Sequence, residues 1–162
     1  MKNNFSQKSL NAIVNLGICI TFILLLATPL ITTAFFKSQF SLLESNLVIN
    51  VVVCIYLFSI PYVIALFKLK KLCILIKKND PFSMDSIKSL KVISICSFSE
   101  IIIFTGCITY LKHSVDFFKY AIIGGPIIIV TFISLIIGFL FLVLCQLFEI
   151  VIKIKDENDK TI

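Results

Sequence analysis

The chain has 162 residues, 59% of them hydrophobic, and a formal net charge of +6 from 15 basic and 9 acidic residues. Its mean hydropathy of +1.06 excludes an ordinary soluble domain, because such domains balance apolar against polar residues. The loops between its apolar stretches are too short to hold an independent folded unit. The sequence therefore predicts a single domain over residues 1–162.

Four apolar stretches follow one another along the chain. Residues 9–36, 45–67 and 120–148 contain no Asp, Glu, Lys or Arg, and residues 92–111 contain only Glu100. A helix needs roughly 20 apolar residues to cross the hydrocarbon core of a bilayer. The sequence therefore predicts an all-α polytopic membrane protein with four transmembrane helices. Their predicted spans are about 12–35, 47–67, 92–111 and 121–147.

The lysines predict how the chain is threaded. Twelve of them lie before the first predicted helix, between the second and third, or after the fourth, whereas Lys37, Lys112 and Lys119 lie in the other two loops. Basic residues concentrate on the cytoplasmic side of membrane proteins. We therefore expect two antiparallel helical hairpins in a bacterial cell membrane, N-in and C-in. Residues 68–91 form the basic cytoplasmic loop, and residues 148–162 form a cytoplasmic tail.

A basic helical segment is predicted to extend the second helix. Helical spacing puts Leu69, Leu72, Cys73 and Ile76 on one face, and the lysines lie mainly on the opposite side. One interpretation is an extension that lies in the anionic headgroups of the inner leaflet. The other is a docking surface for a soluble partner. The lysines of this basic surface are Lys68, Lys70, Lys71, Lys77 and Lys78.

The sequence Asn79-Asp80-Pro81-Phe82 predicts a break before the third helix. Proline disfavours a helical conformation at the residue before it and fits the first turn of a new helix. Asp80 and Ser83 are both suitable N-cap residues.

Glu100 is the residue that most needs an explanation. It lies roughly 13 Å along the third helix from Lys91, near the predicted bilayer midplane. An ionised side chain at that depth costs about 2.5–3.5 kcal/mol on insertion scales, so a neutral carboxyl that donates a hydrogen bond is expected. Ser97 and Cys96 lie beside Glu100 and complete a candidate intramembrane polar site. The face that they share continues through Phe104 and Cys107.

Three roles for Glu100 remain open. It forms a structural hydrogen bond between helices, it contacts a ligand or peptide, or it belongs to a proton or ion relay. The side chains that offer it a hydrogen-bonding partner are Thr21, Asn50, Ser59, Thr131 and Ser134.

Other residues carry weaker signals. Pro29 in the first predicted helix and Pro126 in the fourth are expected to kink the outward halves, which would splay the helices into an external vestibule or merely adjust their packing. The six cysteines include no C-x-x-C pair, and His113 is the only histidine. No catalytic or phosphate-binding motif is present. The sequence therefore predicts no enzyme, no cofactor and no metal site.

The four-span layout and two short motifs resemble a known family. The turn Asn79-Asp80-Pro81-Phe82 opens the third helix, and the chain ends in Glu157-Asn158-Asp159-Lys160-Thr161-Ile162. These features are similar to the YoaS-like bacterial membrane proteins, a domain-of-unknown-function family of small four-helix proteins. The resemblance implies a fold and a compartment but no reaction. It also implies a partner, because such proteins are often encoded beside a small helix-turn-helix regulator.

Three classes of function follow. The first is a membrane regulator or sensor that engages a cytoplasmic partner through the basic surface and through the tail residues Asp156, Glu157 and Asp159. The second is an immunity or self-protection protein against a membrane-active peptide. The third is a small accessory transport subunit. A chain of four helices would then act as a homo-oligomer or together with a larger partner. No direct binding of nucleic acid is expected.

Overall fold

The computed structural model describes residues 2–40, 45–78, 81–119 and 124–159. Within these ranges every regular element is helical, and four of the helices are long and apolar enough to cross a membrane. This confirms the all-α class and the four predicted membrane-spanning helices. The helices are α1 (Lys2–Phe40), α2 (Ser45–Lys77), α3 (Met84–Ser114), α4 (Asp116–Lys119) and α5 (Gly124–Asp159).

The long helices extend beyond the predicted spans. The 33 residues of α2 measure about 50 Å and the 36 residues of α5 about 54 Å, against a hydrocarbon core of about 30 Å. Most of the excess lies at the inner end of the molecule, which is the end that the lysines predict to be cytoplasmic. The predicted start of the fourth span, at residue 121, lies outside the described residues.

Ser83 begins α3 as its N-cap. Its backbone is extended (φ −122°, ψ 158°), and its side-chain oxygen accepts a hydrogen bond from the Ser86 backbone N–H at 3.4 Å. The same N–H also donates to the Ser83 carbonyl at 3.0 Å, so Ser83 provides both acceptors for one of the N–H groups at the start of the helix. The other predicted cap, Asp80, lies with Asn79 outside the described residues. Phe82, just before the cap, packs against the Phe148 ring of α5 at a centroid distance of 4.9 Å.

The spanning helices pack in chain order. α2 lies against α1 and α3, and α3 lies between α2 and α5. In the described part of the chain, the α5 backbone does not approach that of α1 or α2 within 8 Å. The pairs Phe22–Phe67 and Tyr56–Leu25 run in opposite directions along α1 and α2, so these helices are antiparallel. The orientation in a membrane and the division into two hairpins stay predictions.

Small residues set the contact between α3 and α5. The buried Ser94 hydroxyl donates a hydrogen bond to the Gly138 carbonyl at 2.9 Å. A Cβ atom added at Gly138 would lie 2.9 Å from the Phe98 ring, so only glycine fits here without movement. Because lipid tails are as apolar as the side chains, membrane helices associate through such close packing and through interhelical hydrogen bonds.

The inner ends of three helices share one apolar core, here called the inner cluster. Its buried members come from α2, α3 and α5, and they are Leu72, Ile87, Leu90, Ile93 and Cys145. Leu69 and Phe148 pack against it. Leu69 and Leu72 lie on the apolar face of the predicted extension, the segment for which the sequence left two alternatives, contact with lipid headgroups or with a partner. That face is instead used inside the molecule, because α3 and α5 extend far enough to cover it.

An outer cluster lies at the end of the molecule away from the inner cluster, where α1 ends and α2 begins. Phe36, Leu47 and Val115 are buried together, with Val115 connecting α3 to the short helix α4. Pro126 lies near the start of the described part of α5, which runs from Gly124, and the kink there stays a prediction.

Thiol cross-linking tests this order of helices. The Cys54 thiol donates to the Cys107 carbonyl at 3.9 Å, and the Cys107 thiol donates to the Cys54 carbonyl at 3.8 Å. In a chain that keeps only these two cysteines, mild oxidation or a short thiol cross-linker should join α2 to α3. Cleavage at Met84 with cyanogen bromide, followed by non-reducing electrophoresis, separates the two helices unless they are linked.

The matched control keeps only Cys19 of α1 and Cys145 of α5, which also flank Met84. These thiols belong to helices that do not touch in the described structure, so no cross-link is expected. Efficient linkage of the control pair would contradict the packing order.

Replacing Gly138 with leucine should weaken the contact between α3 and α5. Overpacking a close contact typically costs about 1–3 kcal/mol of unfolding free energy. Gly106 is the control, since a Cβ atom added there meets no atom within 4 Å. In mixed micelles, Gly138→Leu should lower the free energy of unfolding, whereas Gly106→Leu should change it by no more than about 0.5 kcal/mol. Equal effects at the two positions would show that Gly138 is not a special contact.

Candidate functional site

Glu100 lines a cavity of about 170 Å³, here called the Glu100 cavity. The cavity lies between α2 and α5, with α3 behind it. Within the described residues α3 holds the two flanking backbones apart, and side chains of α2 and α5 pack together in the inner cluster. Ile93 and Phe141 belong to both regions, so the cavity continues directly from the inner cluster toward the middle of the helices.

The structure brings the three residues of the predicted polar site together. Cys96, Ser97 and Glu100 all line the Glu100 cavity. Cys96 and Ser97 are buried, whereas Glu100 is only partly buried. The Ser97 hydroxyl donates to the Ile93 carbonyl of its own helix at 3.0 Å, so its proton is already used. The Glu100 carboxyl and the Cys96 thiol are the polar groups of this trio that form no hydrogen bond within the described residues, and the carboxyl is the one that can carry a charge at neutral pH.

The side chains offered as partners to Glu100 are engaged elsewhere or do not line its cavity. The Thr21 hydroxyl donates to Gly17 and the Ser59 hydroxyl to Ile55, each within its own helix. The Asn50 side chain accepts a hydrogen bond from Tyr110 at 3.4 Å. Thr131 and Ser134 lie on α5 but do not line the cavity. Across the described side chains, no hydrogen bond or ion pair reaches the Glu100 carboxyl.

The rest of the predicted polar face also meets α2. The Phe104 ring packs on Phe58 at a centroid distance of 5.2 Å, and Cys107 exchanges weak thiol hydrogen bonds with Cys54. The face is therefore continuous along α3, but only its inner half borders the cavity. Above it, aromatic and thiol side chains line the α2–α3 interface, which contains a further pocket bordered by Cys54, Phe58, Phe104 and Cys107.

The sequence missed the walls of the cavity. The α2 wall consists of Pro61, Tyr62, Ala65, Leu66 and Leu69, and the α5 wall of Ile137 and Phe141. Spanning helices are apolar all round, so hydrophobic periodicity does not tell which side meets a neighbour. Pro61 was the one available signal, because proline leaves a backbone carbonyl of the preceding turn without its usual donor.

The predicted basic surface is exposed at the inner end of α2. Lys71, Lys77 and Lys78 are exposed, whereas Lys68 and Lys70 are partly buried. Lys71 forms an ion pair with Asp85 of α3 at 3.2 Å. Both partners are about half exposed, so this pair contributes at most about 1 kcal/mol to stability.

The predicted tail contacts lie at the end of α5. Asp156 and Glu157 are exposed on the last turns of the helix, while the side chain of Asp159 lies outside the described residues. Lys160, Thr161 and Ile162 also lie outside them. The tail is thus helical to Asp159 and continues the spanning helix.

One surface was not anticipated. Ile150, Val151 and Ile154 form an exposed apolar strip on α5, here called the Ile150 strip. It lies beyond the predicted fourth span, among Lys153, Asp156 and other charged residues. Helical spacing puts it on the side of α5 away from Phe148 and Ile152, which pack against the inner cluster.

Comparison with known proteins places the chain in a family. The family model described as Protein of unknown function (DUF2975) matches residues 41–162. The chain is also 34% identical over 114 residues to the uncharacterized membrane protein YoaS of Bacillus subtilis (strain 168), covering 69% of this chain and 70% of that protein. No solved structure matches the chain. The YoaS-like resemblance is thereby confirmed, and the chain belongs to the DUF2975 family and is a membrane protein.

Proposed function

We propose that the chain is a non-enzymatic regulator or sensor of the bacterial cell membrane, which engages a cytoplasmic protein partner at the inner face. A helix-turn-helix regulator is the partner that the family resemblance suggests. The observation that carries the proposal is the Ile150 strip, an exposed apolar surface that lies beyond the predicted span and is surrounded by charges.

The inner ends of α2, α3 and α5 support such a role because they form a packed platform. Residues 68–77, 84–91 and 148–159 lie beyond the predicted spans, and each segment is about 12–18 Å long. The inner cluster and the Phe82–Phe148 contact hold these segments together. A partner would therefore meet a preformed surface and would lose little freedom in ordering it.

The composition of the platform suits a protein partner. Protein interfaces combine an apolar centre with a polar and charged rim. On α5 the Ile150 strip would supply the centre, and Lys153, Lys155, Asp156 and Glu157 would supply the rim. A rim of both signs favours recognition of a protein over the uniform negative charge of nucleic acid. The anionic inner leaflet would contact the lysines of α2.

The alternatives are also proposals. Protection against a membrane-active peptide would use the outer side of the molecule, where the outer cluster joins α1 to α2. An accessory transport subunit, alone or as a homo-oligomer, would depend on Glu100 and on faces turned toward lipid.

Polar substitution of the Ile150 strip tests the regulator proposal. The tagged full chain is extracted gently from its native membranes, and the proteins recovered with it are quantified by mass spectrometry. Interface residues at the centre of a contact commonly cost more than 1 kcal/mol when truncated. The double variant Ile150→Ser/Ile154→Ser should therefore reduce recovery of the partner by about tenfold or more.

The matched control is Ile74→Ser/Met84→Ser. Ile74 and Met84 are exposed apolar residues on α2 and α3 of the same platform, outside the strip. The control chain should recover the partner as well as the unchanged chain does. Equal recovery by both variants, or absence of any cytoplasmic protein from all three samples, would contradict the proposal.

A further inference from the structure

The Glu100 cavity has the size of a single side chain or a very small ligand. Its volume is about 170 Å³, and an engineered cavity of about 150 Å³ in another protein takes up benzene. A phospholipid or a whole helix is far too large to enter it. One long side chain from a neighbouring helix fits, because its stem would fill the apolar part while the helix that carries it stays outside.

The lining of the cavity specifies the chemistry of that side chain. Leu66, Ile137, Phe141 and the other aliphatic and aromatic residues would surround an apolar stem. The Glu100 carboxyl offers the polar end a hydrogen-bond acceptor, and no described side chain pairs with it. A cation delivered to this point would offset the cost of the carboxylate, which is otherwise high in a membrane interior. Lysine and arginine combine a long apolar stem with such a charge.

The cavity is accessible from the side of the molecule. Within the described residues, α2 and α5 stay apart at the backbone, and α3 closes the cavity only from behind. Exposed apolar residues adjoin the cavity lining along the chain, among them Ile60 next to Pro61 on α2 and Ile136 next to Ile137 on α5. A transmembrane helix lying along the two flanking helices would pass the mouth of the cavity at the depth of Glu100.

A second copy of this chain does not supply the required group. Its four apolar stretches contain no lysine or arginine, and its basic residues all lie outside the predicted spans. The matching helix must therefore come from a different protein. We infer that the Glu100 cavity receives one lysine or arginine side chain from a transmembrane helix of a partner protein, with its N–H groups donating to the Glu100 carboxylate.

This intramembrane contact is independent of the cytoplasmic partner proposed above. It assigns Glu100 a recognition role in place of a structural hydrogen bond within the chain. It also explains how a carboxyl can be kept in an apolar setting where no described residue binds it.

A designed peptide provides the probe. A transmembrane polyleucine helix with one central lysine is compared with the same helix carrying leucine at that position. Each is labelled with an acceptor dye and titrated in vesicles against the full chain carrying a donor dye at its N-terminus. The lysine peptide should associate about tenfold more tightly than the leucine peptide.

Glu100→Gln should remove most of that difference, because it keeps the shape of the side chain and removes its charge. The matched control is Glu149→Gln on α5, an exposed acid that does not line the cavity. It should leave the preference for lysine unchanged. A second test fills the cavity by the substitution Ala65→Leu. This variant keeps Glu100 and should bind the lysine peptide more weakly than the unchanged chain does. Circular dichroism and unfolding in detergent confirm that each variant is folded.

Equal binding of the lysine and leucine peptides by the unchanged chain would overturn the inference. Retention of the lysine preference by folded Glu100→Gln would also overturn it. Hexylammonium is added in a separate titration as a free amphiphile. If it binds in a Glu100-dependent way and the lysine peptide does not, the cavity serves a small molecule and the inference is wrong.

Discussion

The hydrogen bond from Ser94 to the Gly138 carbonyl fixes where α3 and α5 meet, and the rest of the molecule depends on that contact. In lipid the hydrophobic effect does not drive helices together, so the closeness of their backbones decides which contacts form. Gly138 lets the α5 backbone approach the Phe98 ring of α3 closely. On the opposite side of α3, contacts between Cys54 and Cys107 bring the α2 and α3 backbones together. Two tight interfaces on one helix place α2 and α5 on different sides of it. The gap between α2 and α5 is a direct result.

That gap gives Glu100 its setting. A carboxyl on a helix surface facing lipid would be costly, and a carboxyl in a filled interface would need a fixed donor. In this structure it lines a cavity whose inner end is closed by the inner cluster and whose side is open. The same three helices also extend past the predicted membrane boundary, where the inner cluster packs their ends into a platform. The Glu100 cavity and the surface predicted to be cytoplasmic therefore lie along the same three helices.

Much of the fold could be predicted from the sequence, since an apolar stretch of membrane-spanning length without charged residues is typical of a transmembrane helix. The number of spanning helices, the break before α3 and Ser83 as one of two caps follow from residue chemistry alone. The faces on which the helices contact one another could not be predicted in this way. The spanning part of α5 is apolar on every side, so no periodicity selects the face that meets Ser94. For the same reason Ile137 and Phe141 could not be assigned to the cavity of Glu100. Leu72 was placed on the correct face of α2, but its burial depends on how far α3 and α5 extend.

The most direct test of this account measures distances between helices in a bilayer. Leu24 of α1, Ile60 of α2 and Phe132 of α5 are exposed residues at about the depth of Glu100, as judged from the residue pairs that join neighbouring helices. Spin labels are placed at two of these positions at a time in vesicles, and their separation is measured by double electron–electron resonance. An α1–α5 distance clearly longer than the α1–α2 distance is the predicted result. Equal distances would mean that α1 closes against α5, and would contradict packing in chain order around α3.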